Sequence, residues 1–273
     1  DNTAALLQKI AEATSDTVVL NRDDPRIFKI SEHIQAKKAF FGTTSELLQL
    51  MPTDDTLKYG TAVANQSVAA DVLLKKINAQ QATFQIDNKE IDVDLQLTGV
   101  YNLLNAAAAV ALARQIAGPE ITDTILSALE NIKPAFGRGE TIYLNGTPIE
   151  LILVKNPSGF RLALLSFAKN NSTTMIAVND NYADGRDVSW FWDVDFSLLK
   201  NVAMISGARA YDMALRLQYD DILIGKIDTN ISKALEDFIN TNPDEPKQIF
   251  CSYTAMTAIR RLLSEKTDVE EIS

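Results

Sequence analysis

The sequence contains very few of the residues that build disulfides and zinc sites. Its 273 residues include one cysteine, Cys251, and one histidine, His33. A lone cysteine excludes an internal disulfide, and a structural zinc needs four nitrogen or sulfur ligands. Cys251 lies in the apolar run QIFCSY, where a buried, unreactive thiol is expected. We therefore expect no bound zinc, a reducing compartment, and a surface position for His33.

Long apolar runs and an excess of positive charge are also absent. No stretch approaches the roughly 20 apolar residues that cross a bilayer, and the first residues, DNTAALLQKIAEATSD, lack the basic start of a signal segment. The 26 Lys and Arg against 36 Asp and Glu give a formal charge of −10, which repels a polyanion. The sequence predicts a cytoplasmic protein with no transmembrane segment and no nucleic-acid partner.

Residues 136–273 predict a doubly wound α/β domain. Short apolar runs, IELILV, TTMIAVND, VAMISG, DILIG and QIFCSY, alternate with the helix-like segments AYDMALRLQY and TAMTAIRRLL. Continuous apolar strands are typical of a parallel sheet that helices cover on both faces. We expect a Rossmann-like domain that binds ligands beyond the carboxyl ends of its strands.

Residues 1–135 predict a second, less regular α/β domain. TVVLN, KKAFFG, ATFQID and VDLQL are strand-like, and NLLNAAAAVALARQIAG predicts a long helix that lies flat against a sheet. Residues 51–80 show no clean period before VAADVLL, and we interpret them as an excursion or insertion. The segment IKPAFGRGE is the best candidate for a hinge between the domains.

Five motifs carry a family resemblance. They are LNRDDP at 20–25, TGVYNLLNAAAAVALA at 98–113, FGRGE at 136–140, LVKNPSGF at 153–160 and NDNYADGRDVSWFWDVDF at 179–196. The first four resemble the Mur ligase family, and the fifth, with SGARAYDMALRLQY and CSYTAMTAIR after it, resembles the MurT branch. The resemblance implies part of an ATP-binding central domain over 1–135 and a Rossmann-like C-terminal domain over 136–273.

Two features of that family are missing from the sequence. The loop G-x-x-x-x-G-K-[ST], which cradles the β- and γ-phosphates of ATP, does not occur. The four-cysteine ribbon common in this branch is also absent, and residues 56–75 would replace it. We expect either that the chain is a fragment whose beginning is missing or that its phosphate site has been lost. The isolated chain should then be inactive.

The resemblance implies that Asn102, Asn105 and Arg138 contact the nucleotide. The two asparagines lie three apart, so one helix face could present both carboxamides to a planar heterocycle such as adenine. A helix N-cap is the alternative for Asn102. The guanidinium of Arg138 could bind phosphate oxygens, or it could pair with Glu140 at the hinge.

Two further candidate sites lie where predicted strands end. Lys155 and Asn156 follow IELILV, where Lys155 could bind phosphate and Asn156 ribose, although a turn formed by NPSG is an equal alternative. Asp23 and Asp24 could bind magnesium or ribose. Capping of a helix that starts at Pro25 is favoured for this acid pair.

The segment ADGRDVSWFWDVDF places four acids beside Trp190 and Trp192, which suggests a contact surface. The resemblance implies a GatD-type glutamine amidotransferase as partner, whose Cys-His pair borrows a carboxylate from this chain. Such an acid fixes the tautomer of the histidine. Asp187 is our first candidate and Asp184 our second, with a turn-stabilising role as the alternative for each.

The function implied by the resemblance is that of an ATP-dependent carbon–nitrogen ligase subunit. With ATP, Mg²⁺ and ammonia derived from glutamine, it would amidate the α-carboxylate of D-glutamate in lipid II at the membrane surface. An amino-acid-adding Mur ligase is disfavoured by the fifth motif. A non-catalytic interaction or regulatory subunit remains the alternative.

Overall fold

The computed structural model describes residues 2–51, 68–78, 81–97, 99–133, 137–168 and 171–269, apart from a few side chains that include Arg138. The chain divides into two compact units, Asp1–Lys133 and Pro134–Ser273. Residues 134–136, inside the predicted hinge, are not among those described. Of the helices described, none combines the length and apolar character needed to cross a membrane.

The first unit is built on a mixed sheet. Its described helices are α1 (Asn2–Glu12), α2 (Pro25–Ser31), α3 (Ser45–Leu50), α4 (Val100–Ala117) and α5 (Thr122–Leu129). Its strands are β1 (Thr17–Asn21), β2 (Lys37–Thr43), β3 (Val72–Asn78), β4 (Gln81–Ile86) and β5 (Lys89–Asp94). They lie in the order β1-β2-β3-β4-β5. The first three are parallel, and β4 and β5 add antiparallel strands.

Helix α4 packs along this sheet, as its alanine run predicts. It contacts β1, β2 and β3, and Ala106, Ala107, Val110 and Ala111 are buried in the same core as Phe84. Small side chains let the helix backbone approach the strands closely. The helix ends at Gly118, whose φ of 96° suits glycine.

The interpretation of residues 51–80 as an excursion is wrong for its last part. Val72–Asn78 forms β3, which pairs with β2 and β4. Val72 and Leu74 are buried in the core, while Leu73 and Lys75 are only partly buried. The alternation of buried and exposed residues that marks a strand is therefore present, but it is short and interrupted by lysine. Residues 52–67, and with them most of the proposed ribbon replacement, lie outside the described residues.

The second unit is a mostly parallel, doubly wound domain. Its strands are β6 (Arg138–Leu144), β7 (Thr147–Leu153), β8 (Thr173–Ala177), β9 (Asn201–Ser206), β10 (Leu223–Asp228) and β11 (Lys247–Cys251). Its described helices are α6 (Pro157–Phe167), α7 (Ala210–Tyr219), α8 (Ile231–Asn240) and α9 (Tyr253–Ser264). The strand order is β10-β9-β8-β11-β7-β6, with only β6 antiparallel to its neighbour. The prediction of a doubly wound parallel sheet is confirmed.

Both faces of this sheet are covered. Strands β8 and β11 are buried along their whole length. Leu235 of α8 and Met256 of α9 belong to the core cluster on the strands, while Phe160 of α6 packs against Phe196 and Phe250 at ring-centroid distances of 5.0 and 5.7 Å. Burial on two faces explains why these strands are continuously apolar.

Candidate functional site

The carboxyl ends of β8, β9 and β11 meet at one edge of the second sheet, where Asn179 joins the loops that follow them. Its backbone N–H donates to Ser252 Oγ over 2.9 Å, and its Nδ2 donates to Thr254 Oγ1 over 3.0 Å. Its Oδ1 accepts from the N–H of Ala208 over 2.9 Å. Sequence reasoning missed this network, although NDN directly after a buried strand was a usable signal.

Gly207 lies at the centre of this edge. Its φ is +93°, and a Cβ at this position would lie 2.3 Å from the carbonyl oxygen of Val178. Only glycine combines that backbone conformation with so close an approach. The β9–α7 turn is therefore packed tightly against the loop that carries the acidic motif.

Asp184 is buried within that loop. It accepts hydrogen bonds from the N–H of Thr254 over 2.8 Å, from Thr254 Oγ1 over 2.5 Å and from the N–H of Asn181 over 3.1 Å. Thr254 lies in the first turn of α9, where a carboxylate is also favoured by the helix dipole. These contacts favour the structural alternative for Asp184 over the catalytic role.

Asp187, by contrast, is exposed. Its Oδ1 accepts the N–H of Ser189 over 2.9 Å, and hydrogen bonding from the side chain and backbone of Ser189 holds the pKa of Asp187 below its usual range. The carboxylate is thus ionised at neutral pH, fixed at one oxygen and accessible to solvent.

The two tryptophans of the motif differ in their surroundings. Trp190 is half-buried and packs edge-on against Phe191 with a centroid distance of 4.6 Å. Trp192 is 49% exposed and meets Tyr219 of α7 at 4.9 Å. The expectation of a contact surface therefore falls mainly on Trp192.

Lys155 and Asn156 lie at the carboxyl end of β7, and both are exposed. Asn156 is the N-cap of α6, since its Oδ1 accepts the N–H of Gly159 over 2.7 Å. Pro157 follows as the first helical residue. The NPSG segment therefore starts a helix and does not form a free turn. Capping already engages Oδ1 of Asn156, the residue predicted to bind ribose.

Arg138 begins β6, and its side chain is outside the described part of the chain. The alternative of a pair with Glu140 therefore stays a prediction, and both oxygens of Glu140 accept from Arg260 Nε, over 3.0 and 2.9 Å. Arg260 lies on α9. This ion pair ties the helix to the edge strand.

In the first unit, Asn102 and Asn105 both lie on α4, but Asn102 is 6% exposed whereas Asn105 is exposed. The N-cap of α4 is Gly99, so the N-cap alternative for Asn102 is wrong. Positions three residues apart lie about 60° from each other around a helix axis, which is enough for one carboxamide to face the core while the other faces solvent. The structure leaves their nucleotide role a prediction.

Asp23 and Asp24 follow β1 and serve the local structure. Asp24 is the N-cap of α2 and accepts from the N–H groups of Arg26 and Ile27, which confirms the capping alternative. Asp23 is buried, accepts from the N–H of Thr43 over 2.6 Å, and has its pKa raised by desolvation. Among the described residues, no group of three or more His, Cys, Asp or Glu side chains could hold a metal ion.

Each of the two units matches a known domain family. Residues 2–113 match the Mur ligase middle domain, and residues 153–256 match the MurT ligase C-terminal domain. The lipid II isoglutaminyl synthase (glutamine-hydrolyzing) subunit MurT of Streptococcus pneumoniae is 31% identical over 206 residues, 72% of this chain and 45% of that protein. The Staphylococcus aureus (strain COL) subunit of the same name is 30% identical over 135 residues, 47% of this chain and 30% of that protein. The chain thus spans less than half the length of these relatives.

Solved structures show the same fold. A pseudomurein peptide ligase type C from Methanothermus fervidus superposes with a TM-score of 0.70 at 16% identity, over 96% of this chain and 59% of that one. MurF ligase from Thermotoga maritima, in complex with ADP, gives 0.63 at 16% identity, over 94% and 55%. The chain therefore belongs to the Mur ligase family, in which it joins a Mur ligase middle domain to a MurT-type C-terminal domain.

Proposed function

We propose that the chain is the ligase subunit of a lipid II isoglutaminyl synthase. In the complete enzyme it would work with ATP to amidate the D-glutamate α-carboxylate of the stem peptide, in the cytoplasm, with ammonia from a GatD-type glutaminase. The observation that carries this proposal is the union of a Mur ligase middle domain with a MurT-type C-terminal domain in one chain. The names of the two relatives above support the same reaction.

Each of the two units carries residues that we propose for nucleotide binding. The exposed Lys155 at the end of β7 is placed to meet an anionic group, as the carboxyl ends of strands in this fold bind ligands. Asn105 is the exposed carboxamide of α4, so it is the better candidate for adenine, whereas Asn102 is buried. Arg138 and Asn156 stay candidates for phosphate and ribose. When bound, ATP would supply a phosphoryl group that turns the substrate carboxylate into an electrophile.

The residues of this chain fit the phosphates of a nucleotide less well than its adenine. The sequence has no G-x-x-x-x-G-K-[ST] loop, and the described residues include no cluster of three or more acids, His or Cys for a metal. Mg²⁺ is commonly bound by one or two carboxylates together with substrate phosphates. We therefore propose that Mg²⁺ binds together with the nucleotide and not in a cage built by the described residues.

Asp187 is the carboxylate that we propose the glutaminase borrows. It is exposed, ionised and anchored through Ser189, whereas both oxygens of Asp184 are already engaged by Thr254 and Asn181. A carboxylate that orients an imidazole needs a fixed position and an open oxygen lone pair. Of these two residues, only Asp187 has an exposed side chain that a partner could reach.

Co-purification with a GatD-type glutaminase from the same genome tests the proposal. We expect a stable complex in which glutamine hydrolysis is faster than that of the glutaminase alone. Absence of a complex under low and physiological salt, with both proteins folded, would overturn the proposed function.

A non-catalytic regulatory subunit is the second candidate, and the missing phosphate loop is the observation that favours it. Such a subunit would bind the same glutaminase but would not catalyse ATP-dependent amidation. A complex that stimulates glutamine hydrolysis without ATP-dependent amidation, formed with protein from the complete coding sequence, would favour this candidate.

A further inference from the structure

Thr254, in the first turn of α9, holds the loop that follows β8. Its hydroxyl donates to Asp184 Oδ2 over 2.5 Å, and it accepts from Asn179 Nδ2 and Asn181 Nδ2 over 3.0 and 2.9 Å. Because a hydroxyl has one donor and two acceptor lone pairs, all three are in use. The N–H of Thr254 donates to the other carboxylate oxygen of Asp184 over 2.8 Å. This one residue of α9 is therefore bonded to three residues of the loop.

Asp187 lies on a short span between two anchored points of this loop. The upstream anchor is Asp184, which is buried and is held by Thr254. The downstream anchor is the 3₁₀ turn Ser189–Asp193, in which the side chain of Phe191 is buried in the core. The position of the Asp187 carboxylate therefore depends on both anchors.

The span between the two anchors is open to solvent. Gly185 has a φ of +92°, and a Cβ at this position would meet no atom within 4 Å. Arg186 and Asp187 are exposed. The hydrogen bond from the N–H of Ser189 to Asp187 Oδ1 fixes the carboxylate relative to the downstream turn, but it does not fix the path of the chain before Asp187. Loss of the Thr254 contacts would therefore let that segment shift while the sheet stays folded.

We propose that Thr254 is a positioning residue for glutamine hydrolysis, because it holds the segment that presents the Asp187 carboxylate to the histidine of the glutaminase. The inference rests on the proposed function, since it takes Asp187 as the borrowed acid. An acid that orients an imidazole must hold a defined distance and angle to the ring, and a misplacement of about 1 Å can cost about 10²-fold in rate. Thr254 acts on the reaction through the loop and not through contact with the reacting atoms.

The test is steady-state glutamine hydrolysis by the chain in complex with a purified GatD-type glutaminase from the same genome. Thr254→Val keeps a branched side chain of similar size and removes the hydroxyl. We expect it to lower kcat by about tenfold or more and to change KM for glutamine by less than about twofold, because glutamine binds to the partner. Thr254→Ser keeps the hydroxyl, so it should retain most of the kcat of the unaltered complex.

Thr174→Val is the matched control for an effect of stability alone. Thr174 is buried near the start of β8, at the other end of the strand from the acidic loop, and accepts from Gln248 Nε2 over 2.7 Å. Both valine variants should melt at a lower temperature than the unaltered chain, since each loses hydrogen bonds. Thr174→Val should nevertheless keep kcat within about twofold of the unaltered complex. An equal loss of kcat in the two variants would contradict the inference.

A double-mutant cycle tests whether Thr254 acts through Asp187. If it does, Thr254→Val should lower kcat much less in an Asp187→Asn chain than in the unaltered chain, because the carboxylate to be positioned is already gone. Equal factors in the two backgrounds would overturn the inference.

A milder variant keeps the inference testable if Thr254→Val unfolds the second unit. Asn181→Ala removes one donor to the Thr254 hydroxyl at an exposed position. Its kcat should fall below that of Thr174→Val, and this loss should also shrink in an Asp187→Asn chain. Circular dichroism and thermal melting establish that each variant is folded. An Asn181→Ala complex with the kcat of the unaltered complex would count against the inference.

The outcomes separate the inference from the proposed function. If the unaltered chain neither binds the glutaminase nor accelerates glutamine hydrolysis, the proposed function fails and the inference fails with it. If Asp187→Asn lowers kcat while Thr254→Val behaves like Thr174→Val, only the role of Thr254 is wrong. Calorimetric titration showing that folded Thr254→Val no longer binds the glutaminase would assign Thr254 to complex formation and overturn the inference.

Discussion

Asp184 and Asp187 stand three positions apart in one acidic loop, yet the fold uses them differently. The sequence predicted that this loop follows a strand and carries candidate acids, and that much is confirmed by its place after β8. Asp187 was ranked ahead of Asp184, but the sequence could not show what each carboxylate contacts, because the partner of Asp184 is Thr254, 70 positions away. Similarly, the buried side of Asn102 depends on how α4 packs, which local sequence does not specify.

Replacing Asp184 by asparagine should destabilise the second unit. The carboxamide presents an NH₂ group where the carboxylate accepts three hydrogen bonds, so at least one buried donor loses its acceptor. We expect a loss of about 1–3 kcal/mol in the free energy of unfolding, measured by urea denaturation. An unfolding free energy equal to that of the unaltered chain would contradict the structural role.

Asp187→Asn, in complex with the glutaminase, should lower glutamine turnover with little effect on stability. In serine proteases the corresponding change costs about 10⁴-fold, because the histidine tautomer is no longer fixed. Asp195→Asn is the matched control, since Asp195 likewise accepts the N–H of the serine two residues on, over 2.9 Å. Equal glutaminase rates for the two variants at matched complex concentration would end the borrowed-acid proposal.

The thiol of Cys251 should be unreactive in the folded chain. It is fully buried, and desolvation raises its pKa far above neutral pH, so almost no nucleophilic thiolate forms. A thiol reagent such as dithionitrobenzoate should modify it only after unfolding in denaturant. Rapid modification of the native chain would mean that β11 is accessible.

Among the elements, those with a strong period were predicted and those with ambiguous starts were not. AYDMALRLQY coincides with α7, Ala210–Tyr219, because its buried and exposed positions alternate with helical spacing. Helix α6 was missed because Asn156 and Pro157 favour turns and helix starts alike. Strand β3 was missed because only Val72 and Leu74 mark its buried side.

Two glycine substitutions in the turns of the second unit distinguish the stability cost of backbone strain from that of a steric clash. They are Gly207→Ala and Gly185→Ala. Both glycines have a positive φ, 93° and 92°, but a Cβ meets the Val178 carbonyl at Gly207 and nothing within 4 Å at Gly185. Both variants should lose stability through strain, and Gly207→Ala should lose about 1–3 kcal/mol more because of overpacking. Similar melting temperatures for the two variants would show that the loop before α7 yields easily.

For the whole molecule, the sequence predicted the two α/β domains and their family. Buried strands and the order of the motifs can both be recognised in a single sequence. The candidate site was predicted as positions after strand ends, together with Asn102 and Asn105 on a helix and Arg138 at the hinge. Which of those side chains face solvent depends on long-range contacts such as Glu140 with Arg260 and Asn179 with Thr254. These pairs join residues over 70 positions apart, which no local pattern reveals.

The purified 273-residue chain should bind ATP weakly, should not hydrolyse it and should contain no stoichiometric zinc. Without a phosphate loop the charge of the β- and γ-phosphates is not compensated by backbone amides and lysine. Calorimetry and metal analysis measure the two properties. Tight ATP binding, turnover by this chain alone, or one zinc per chain would each contradict the expectation.

We propose that the complete enzyme to which this chain belongs amidates lipid II with nitrogen from glutamine. The most direct measurement uses protein from the complete coding sequence, a GatD-type glutaminase, ATP, lipid II and glutamine labelled with ¹⁵N in its side-chain amide, with mass spectrometry of the stem peptide. We expect ¹⁵N in a new carboxamide at D-glutamate, dependent on ATP and on both proteins. An unlabelled stem peptide, or one extended by an amino acid instead, would rule out the proposed amidation.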